Sequence, residues 1–445
     1  MKKKAALHNL GCKVNAYELE AMQQMLEEAG YEIVPFAPGA DVYVINTCTV
    51  TNIADRKSRQ MLHKAKKMNP DAVVVACGCY VQAAGEDLKK DEAIDIVIGN
   101  NKKQDLLDIL QKHWKKNTDA DINIIDINHT KEYEELKISK TAEHTRAYMK
   151  IQDGCNQFCT YCIIPFARGR VRSRQLEDVM SELRALADAG YQEVVLTGIH
   201  LSSYGTDFDI CEKSEAYPYG TLLLELIESI EHLDGIERVR LGSLEPGIVT
   251  ESFVERLSAC KKICPHFHLS MQSGCDETLK RMNRRYDTTQ FAQRCELLRK
   301  YFPHVALTTD IIVGFPGETE EEFQKTKAYV EQIHFFETHI FKYSRRQGTK
   351  AAVMPDQVSD EIKTKRSQEL IELGTRHQKE YADAFENQEV EVLFEEETEE
   401  NGISYWQGHT RHYVRALMQS EANLTNIRKM CRVEKVSENG TLFCK

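Results

Sequence analysis

Residues 1–115 alternate short apolar runs with longer stretches of helical period. Lys4–Leu10, Asp41–Asn46, Ala72–Ala76 and Ile94–Ile98 read as strands, and Ala16–Ala29, Ile53–Met68, Val81–Leu88 and Lys103–Trp114 as helices. Strands alternating with helices of this length imply βαβ units and a parallel sheet. A polar linker follows over residues 116–142, with a β-like patch at Ile122–Ile127 suited to an edge strand. Residues 143–375 then repeat the β/α pattern six times. The strands are Ala147–Gln152, Glu193–Gly198, Arg238–Ser243, His266–Gln272, Ala306–Val313 and Glu337–Tyr343. Six units predict an incomplete parallel barrel whose chemistry sits at the carboxyl ends of the strands. After a helical stretch, Asp360–Asn387, residues 376–445 carry five short β runs: Glu389–Phe394, Ser404–His409, Tyr413–Leu417, Cys431–Val436 and Thr441–Cys444. These suggest a small antiparallel barrel of OB type. The expected fold class is α/β: an open parallel sheet, a partial (β/α)6 barrel and a small all-β barrel.

Composition changes this picture little. Of 445 residues, 42% are hydrophobic and 29% charged, ordinary values for a globular chain. No apolar run is long enough to span a bilayer, and Met1-Lys2-Lys3-Lys4 leads into a strand rather than a signal-peptide core, so the expectation is a cytoplasmic protein with no membrane partner. The net charge of −11 argues against nucleic-acid binding over the whole surface. Positive charge is nonetheless clustered in four places: Arg56 to Lys67, Arg168 to Arg174, Lys280 to Arg285, and Lys342 to Lys350.

Fourteen cysteines in a cytoplasmic chain point to metal or catalysis rather than disulfides. Cys155, Cys159 and Cys162 form a C-x3-C-x2-C run directly after the first strand of the partial barrel. Three closely spaced thiolates can ligate three irons of a cubane cluster and leave the fourth open; a structural zinc site wants four ligands. Cysteine also falls three times at the same structural point of the first segment. Cys12 follows the first strand, Cys48 the second, and Cys77 and Cys79 the third. An open parallel sheet would bring those turns to one edge, making a second three-thiol site. Spacing alone leaves Cys77 and Cys79 both available for it. Cys260-x3-Cys264 has metal-like spacing without a third partner and reads as structural; Cys211, Cys275, Cys295, Cys431 and Cys444 carry no assignment.

With Tyr161 before its last cysteine, the Cys155–Cys162 loop resembles the radical S-adenosylmethionine (SAM) superfamily. Asn9-Leu10-Gly11-Cys12-Lys13-Val14-Asn15, Asn46-Thr47-Cys48-Thr49-Val50-Thr51, Gly78-Cys79-Tyr80 and Tyr161-Cys162-Ile163-Ile164-Pro165 resemble the methylthiotransferases within it. That pattern selects Cys79 over Cys77. Leu10-Gly-Cys-Lys-Val-Asn and Ala54-Asp55-Arg56-Lys57-Ser58-Arg59-Gln60 resemble the branch acting on threonylcarbamoyladenosine in tRNA. The resemblance implies two [4Fe–4S] clusters, on Cys12/Cys48/Cys79 and on Cys155/Cys159/Cys162. It also implies SAM bound at the open iron of the second, a 5′-deoxyadenosyl radical, and methylthio transfer to C2 of the base at position 37. An electron donor such as flavodoxin or ferredoxin is implied too. No acid–base residue is required at the centre of this scheme, and none is assigned. Tyr161, Thr197, Gly198, Ser243, Glu245, Gln272 and Val313 are the candidate SAM contacts.

The C-terminal barrel resembles the RNA-binding TRAM domain, with Arg411, His412 and Tyr413 as candidate RNA contacts. The tRNA anticodon loop is the expected partner, held by the four basic clusters, so charge reversal at Arg168 and Arg170 is expected to weaken tRNA binding. Other readings are a methylthiotransferase for another tRNA base or a ribosomal protein, and a non-catalytic iron–sulfur RNA-binding protein.

Overall fold

Every strand of the first segment emerges at one edge of a single parallel sheet, and this decides where the chemistry can sit. The computed structural model describes residues 2–116, 121–139, 145–209 and 219–445; Cys211 lies outside them. The first sheet contains β1 (Lys4–Asn9), β2 (Glu32–Ile33), β3 (Val42–Thr47), β4 (Val73–Gly78), β5 (Ile96–Ile98) and β6 (Asp121–Asn123), in the order β2-β1-β3-β4-β5-β6. β3 and β4 are buried along their whole length, as expected of a parallel sheet covered on both faces. Alternate residues feed two cores: Tyr43, Ile45 and Val74 pack with Leu62 and Ala65, while Val42, Val44 and Val75 pack with Met22, Leu26 and Leu110. The edge strand expected near residue 122 is present as β6.

The central segment forms a curved parallel wall of β7 (Arg146–Asp153), β9 (Glu193–Gly198), β10 (Arg238–Leu241), β11 (His266–His268), β12 (Ala306–Val313) and β13 (Glu337–Lys342). β10 and β11 are joined by two isolated bridges, Val239 to Ile263 and Leu244 to Leu269. Two short strands were not expected: β2 in the first sheet, and here β8 (Arg172–Ser173), which pairs antiparallel with the end of β7.

The helix Asp360–Asp383 leads into a closed barrel of β14 (Glu389–Glu400), β15 (Ile403–Thr410), β16 (Arg415–Met418), β17 (Arg428–Val436) and β18 (Leu442–Cys444), ordered β14-β15-β16-β18-β17. The OB-like architecture holds, but the barrel is not wholly antiparallel, because β16 pairs parallel with β18. With β17 paired to β14, that crossover closes the barrel and leaves no free edge.

The turn after β15 does not face solvent as an RNA contact would. It is seated against the amino ends of the central strands. Tyr413 stacks on His409 at 4.7 Å and packs on His266 at 5.0 Å, with Arg240 and Arg146 4.7 and 4.9 Å from its ring. Arg411 donates to the Ile263 carbonyl at 2.8 Å, and His412 packs on Phe385. Tyr413 and Arg411 hold the two segments together while His412 packs within the C-terminal one, and the RNA role expected of all three is corrected accordingly. Beneath them Glu193, fully buried, pairs with Arg240 at 2.9 Å and Arg238 at 3.4 Å. Burial alone would raise its pKa, but Arg240, Arg146 and Arg238 outweigh it and hold the carboxyl at about 2. The folded value lies below the unfolded one of about 4.3. The contribution is therefore complete above that pH and disappears as pH falls towards 2. Acid titration of stability is expected to show a steeper loss over this window in the native protein than in Glu193→Gln.

Candidate functional site

Cys12 stands at the amino cap of the helix Lys13–Glu28, Cys48 follows β3 directly, and Cys79 opens the helix Cys79–Ala84 after β4. β1, β3 and β4 are neighbours in register, so the three turns meet at one sheet edge. Gly78 has φ +96°, and a Cβ there would fall 2.6 Å from the Thr47 carbonyl oxygen; only glycine fits. A Cβ on Gly11 would lie 3.2 Å from Cys48 Sγ, which shows how closely the Cys12 turn approaches Cys48. The thiols are within electrostatic reach of one another. Burial pushes Cys48 up to about 11, with the Cys79 and Cys12 charges adding to it, while Cys12 itself stands exposed at the edge. Cys77 lies inside β4, fully buried in the core with Met22 and Leu110, its thiol donating to the Ile45 carbonyl at 3.5 Å. Of the two candidates, Cys79 is the one brought beside Cys12 and Cys48.

One guanidinium ties this site to the next. Arg168 is fully buried. Its Nε donates to Cys79 Sγ at 3.1 Å, its NH1 to Glu18 at 2.6 Å and Asp153 at 3.2 Å, and its NH2 to Asn15 at 2.8 Å and Glu18 at 3.0 Å. Lys150 bridges the same two carboxylates, at 2.9 Å from Glu18 and 2.7 Å from Asp153; Lys103 reaches Glu18 at 3.2 Å. Desolvation would raise the Glu18 pKa, but Arg168, Lys103 and Lys150 hold it well below the usual carboxylate range. The expectation that Arg168 contacts tRNA is therefore wrong. Its neighbours Arg172 and Arg174 are also fully buried, paired with Asp153 and with Glu182. Glu18, Asn15 and Asp153 escaped the sequence reading. Asn15 and Glu18 lie three residues apart, hence on one helix face beside Cys12, and that spacing was an available signal.

Asp153 ends β7, and the Cys155–Cys162 loop begins two residues later. Gly154 has φ +71°, and a Cβ there would overlap the Arg170 carbonyl at 1.8 Å. The loop is pinned by backbone and side-chain bonds. Cys155 N–H donates to the Gly169 carbonyl at 3.0 Å, Thr160 N–H to Met282 at 3.0 Å, and Ala351 N–H to Thr160 at 2.8 Å. Asn283 donates to the Phe158 carbonyl at 3.1 Å. Burial pushes Cys155 up to about 11 and Cys162 to about 12, and the Cys159 charge raises both. Arg284 donates to Cys159 Sγ at 3.3 Å and to the Ser270 carbonyl at 3.1 Å. In the sequence Arg284 stands only as one of the basic run Lys280 to Arg285.

The candidate cofactor contacts divide into two groups and one exception. Thr197, Gly198, Ser243 and Glu245 lie at the ends of β9 and β10; Ser243 is exposed, while Glu245 is buried and its carboxylate accepts from Gly247 N–H at 2.9 Å. Tyr161 and Gln272 line a slot of about 230 Å³ with Val50, Thr51, Asp310 and Ile312. The slot opens between the loop after Cys48 and the carboxyl ends of β12 and β13. Val313 belongs to neither group. Strand alternation turns its side chain away from the slot into the main hydrophobic core, and its carbonyl accepts from Tyr343 N–H.

Of the remaining basic clusters, Arg346 is buried against Asp55 at 2.8 Å, and Arg281 pairs with Glu322. Arg56, Lys57, Arg59, Lys64 and Lys67, all on the helix Asn52–Met68, stay exposed, as do Lys280, Arg285, Lys342, Arg345 and Lys350. Cys260 and Cys295 sit in the main core. Every described cysteine is a free thiol. No helix among the described residues is long and apolar enough to cross a membrane.

Residues 4–99 match the family described as uncharacterized protein family UPF0004, and residues 149–330 match the radical SAM superfamily. The chain is 43% identical to the threonylcarbamoyladenosine tRNA methylthiotransferase MtaB of Bacillus subtilis (strain 168), over 94% of this chain and 91% of that one. It is 34% identical to the MtaB of Thermotoga maritima, over 100% and 97%. It is also 34% identical to a tRNA-2-methylthio-N(6)-dimethylallyladenosine synthase of Acetivibrio thermocellus, over 95% and 87%. Among solved structures, the radical SAM methyltransferase TsrM of Kitasatospora setae superposes with a TM-score of 0.58 at 16% identity, covering 79% of this chain and 77% of that one. This likeness is one of fold.

Proposed function

The chain belongs to the radical SAM methylthiotransferases, and from that premise we propose that it adds a methylthio group to C2 of N6-threonylcarbamoyladenosine at position 37 of tRNA, beside the anticodon. The observation that carries this reading is the buried Arg168 bridge. It joins a three-thiol sheet edge at Cys79 to Asp153, which leads into a second three-thiol loop. The donor sets suit two [4Fe–4S] groups. Each offers three soft thiols, held by tight glycine turns and flanked by a guanidinium at Cys79 or Cys159. When bound, these groups supply one-electron chemistry on SAM at the Cys155 loop and a sulfur-carrying function at the Cys12/Cys48/Cys79 edge.

The protein's own residues do the positioning. Arg168, Glu18, Asp153 and Lys150 fix the distance between the two sites. Thr160, Asn283 and Ala351 hold the Cys155 loop against the wall. The slot lined by Val50, Thr51, Tyr161, Gln272 and Ile312 lies between the sites and admits a base splayed from its loop. Exposed lysines and arginines on the helix Asn52–Met68 and after β13 flank that opening and suit the phosphates of an anticodon arm. A reduced flavodoxin or ferredoxin is the expected electron donor.

The test is a comparison of tRNA nucleosides from a deletion strain and its parent. Loss of 2-methylthio-threonylcarbamoyladenosine with accumulation of threonylcarbamoyladenosine is expected. An unchanged methylthio nucleoside would overturn the substrate assignment.

A further inference from the structure

The inner face of the central wall carries a polar cluster of which Asp310 alone borders the slot described above. Strand alternation turns Asp310 and Ile312 of β12 inward. In register, His268 on β11 lies opposite Thr308, and His339 on β13 lies opposite Asp310. The ring nitrogens of both histidines and the Asp310 carboxylate lie within 4.8 Å of one another. The two rings stack at 5.7 Å. His268 is oriented by Thr308, whose hydroxyl is 3.0 Å from Nδ1. Its Nε2 is 3.4 Å from Asp310, yet buried without a hydrogen-bond partner. Asp310 also forms part of the slot wall, beside the apolar surfaces of Ile312, Val50 and Phe341. Val50 and Phe341 are 53% and 43% exposed, large apolar surface left open at the mouth of a cavity.

We propose that His268, Asp310 and His339 form the subsite for the substituent on N6 of the target adenine, selecting one that offers hydrogen-bond donors and a carboxylate over an apolar one. This rests on the substrate reading above and deepens it. A purine has flat apolar faces that suit Val50, Ile312 and Phe341. A threonylcarbamoyl group extends from it with ureido N–H groups, a hydroxyl and a carboxylate. Asp310 accepts from the N–H or O–H donors, while His268 Nε2 and His339 donate to the carboxylate. A dimethylallyl group has no such atoms. It would cover Asp310 and the unpartnered His268 Nε2 without offering either a hydrogen bond, a penalty that makes polar subsites reject apolar analogues far better than the converse.

The experiment uses the full chain with both sites reconstituted and three anticodon stem-loop RNAs that differ only at position 37: threonylcarbamoyladenosine, dimethylallyladenosine or adenosine. The native protein is expected to bind the first at least tenfold more tightly than the third. Asp310→Asn and His339→Leu are each expected to erode that preference about tenfold, or about 1.4 kcal/mol, and His339→Leu, outside the slot lining, is expected to bind the adenosine RNA as the native protein does. His339 is exposed and Asp310→Asn is isosteric, so folding is not at stake in either. A native preference for threonylcarbamoyl RNA that survives in both variants would overturn the subsite. So would one equivalent of zinc on the native protein that is lost in His339→Leu, since the same three side chains are spaced to hold a metal. Native preference for dimethylallyl RNA is a different result and would refute the substrate reading itself.

Discussion

Arg168→Met is expected to destabilise the protein by roughly 3 kcal/mol, the lower end of what removing one partner of a buried ion pair costs. The guanidinium satisfies oxygens of Glu18, Asp153 and Asn15 and one thiol, all in the interior. The cost stays at the lower end because Lys150 and Lys103 still face the abandoned carboxylates. Arg168→Glu lacks that relief. It sets a third carboxylate beside Glu18 and Asp153 and is expected to give no folded protein. Urea denaturation of anaerobically purified protein measures the first effect and soluble yield the second. A loss below about 1 kcal/mol for Arg168→Met, the size expected of an exposed pair, would show that the bridge is not the joint between the two sites. A tRNA-binding assay on Arg168→Glu would report misfolding rather than a lost phosphate contact.

Replacing Cys12, Cys48 and Cys79 together by alanine is expected to lower bound iron from about eight to about four atoms per chain. Methylthio transfer should vanish while reductive cleavage of SAM persists, because the Cys155 loop is held by Gly169, Met282 and Ala351 rather than by the sheet edge. The complementary change at Cys155, Cys159 and Cys162 is expected to remove SAM cleavage and transfer together. Iron analysis, 5′-deoxyadenosine formation and nucleoside analysis separate the two variants. Cys77→Ala belongs beside them as a control: its thiol packs in the core, so iron content should not change. Iron lost from the Cys77 variant but kept after the triple change would reverse the ligand assignment.

The parallel elements were readable because buried strands such as Val42–Thr47 open on a continuous apolar run, here Val42 to Ile45, between amphipathic helices. β2 and β8, at two residues each, are too short to carry any period. The two thiol sites were readable for different reasons. The Cys155 loop is local in sequence, whereas Cys12, Cys48 and Cys79 became a site only once parallel topology placed three turns side by side. The basic run from Arg168 to Arg174 misled. Spaced arginines in a polar loop look like a solvated face, and the carboxylates that neutralise them, Glu18, Asp153 and Glu182, come from other elements with no shared period. Tyr413 misled in the same way. Its ring partners Arg146, Arg240 and His266 belong to the central wall, and nothing in the local sequence announces them. Strand alternation turns the Val313 side chain into the main core.

The reach of Arg168 along the chain also bears on when the protein can mature. Cys12, Cys48 and Cys79 leave the ribosome before the arginine that neutralises their surroundings, at a synthesis rate that makes the delay on the order of ten seconds. During that interval Glu18 is without its guanidinium and the three thiols have no finished cradle. On the cluster assignment proposed above, iron delivery to the sheet edge is expected to follow docking of the central wall. A nascent chain halted before residue 168 should present Cys48 and Cys79 to an alkylating probe, where in the completed chain both are buried.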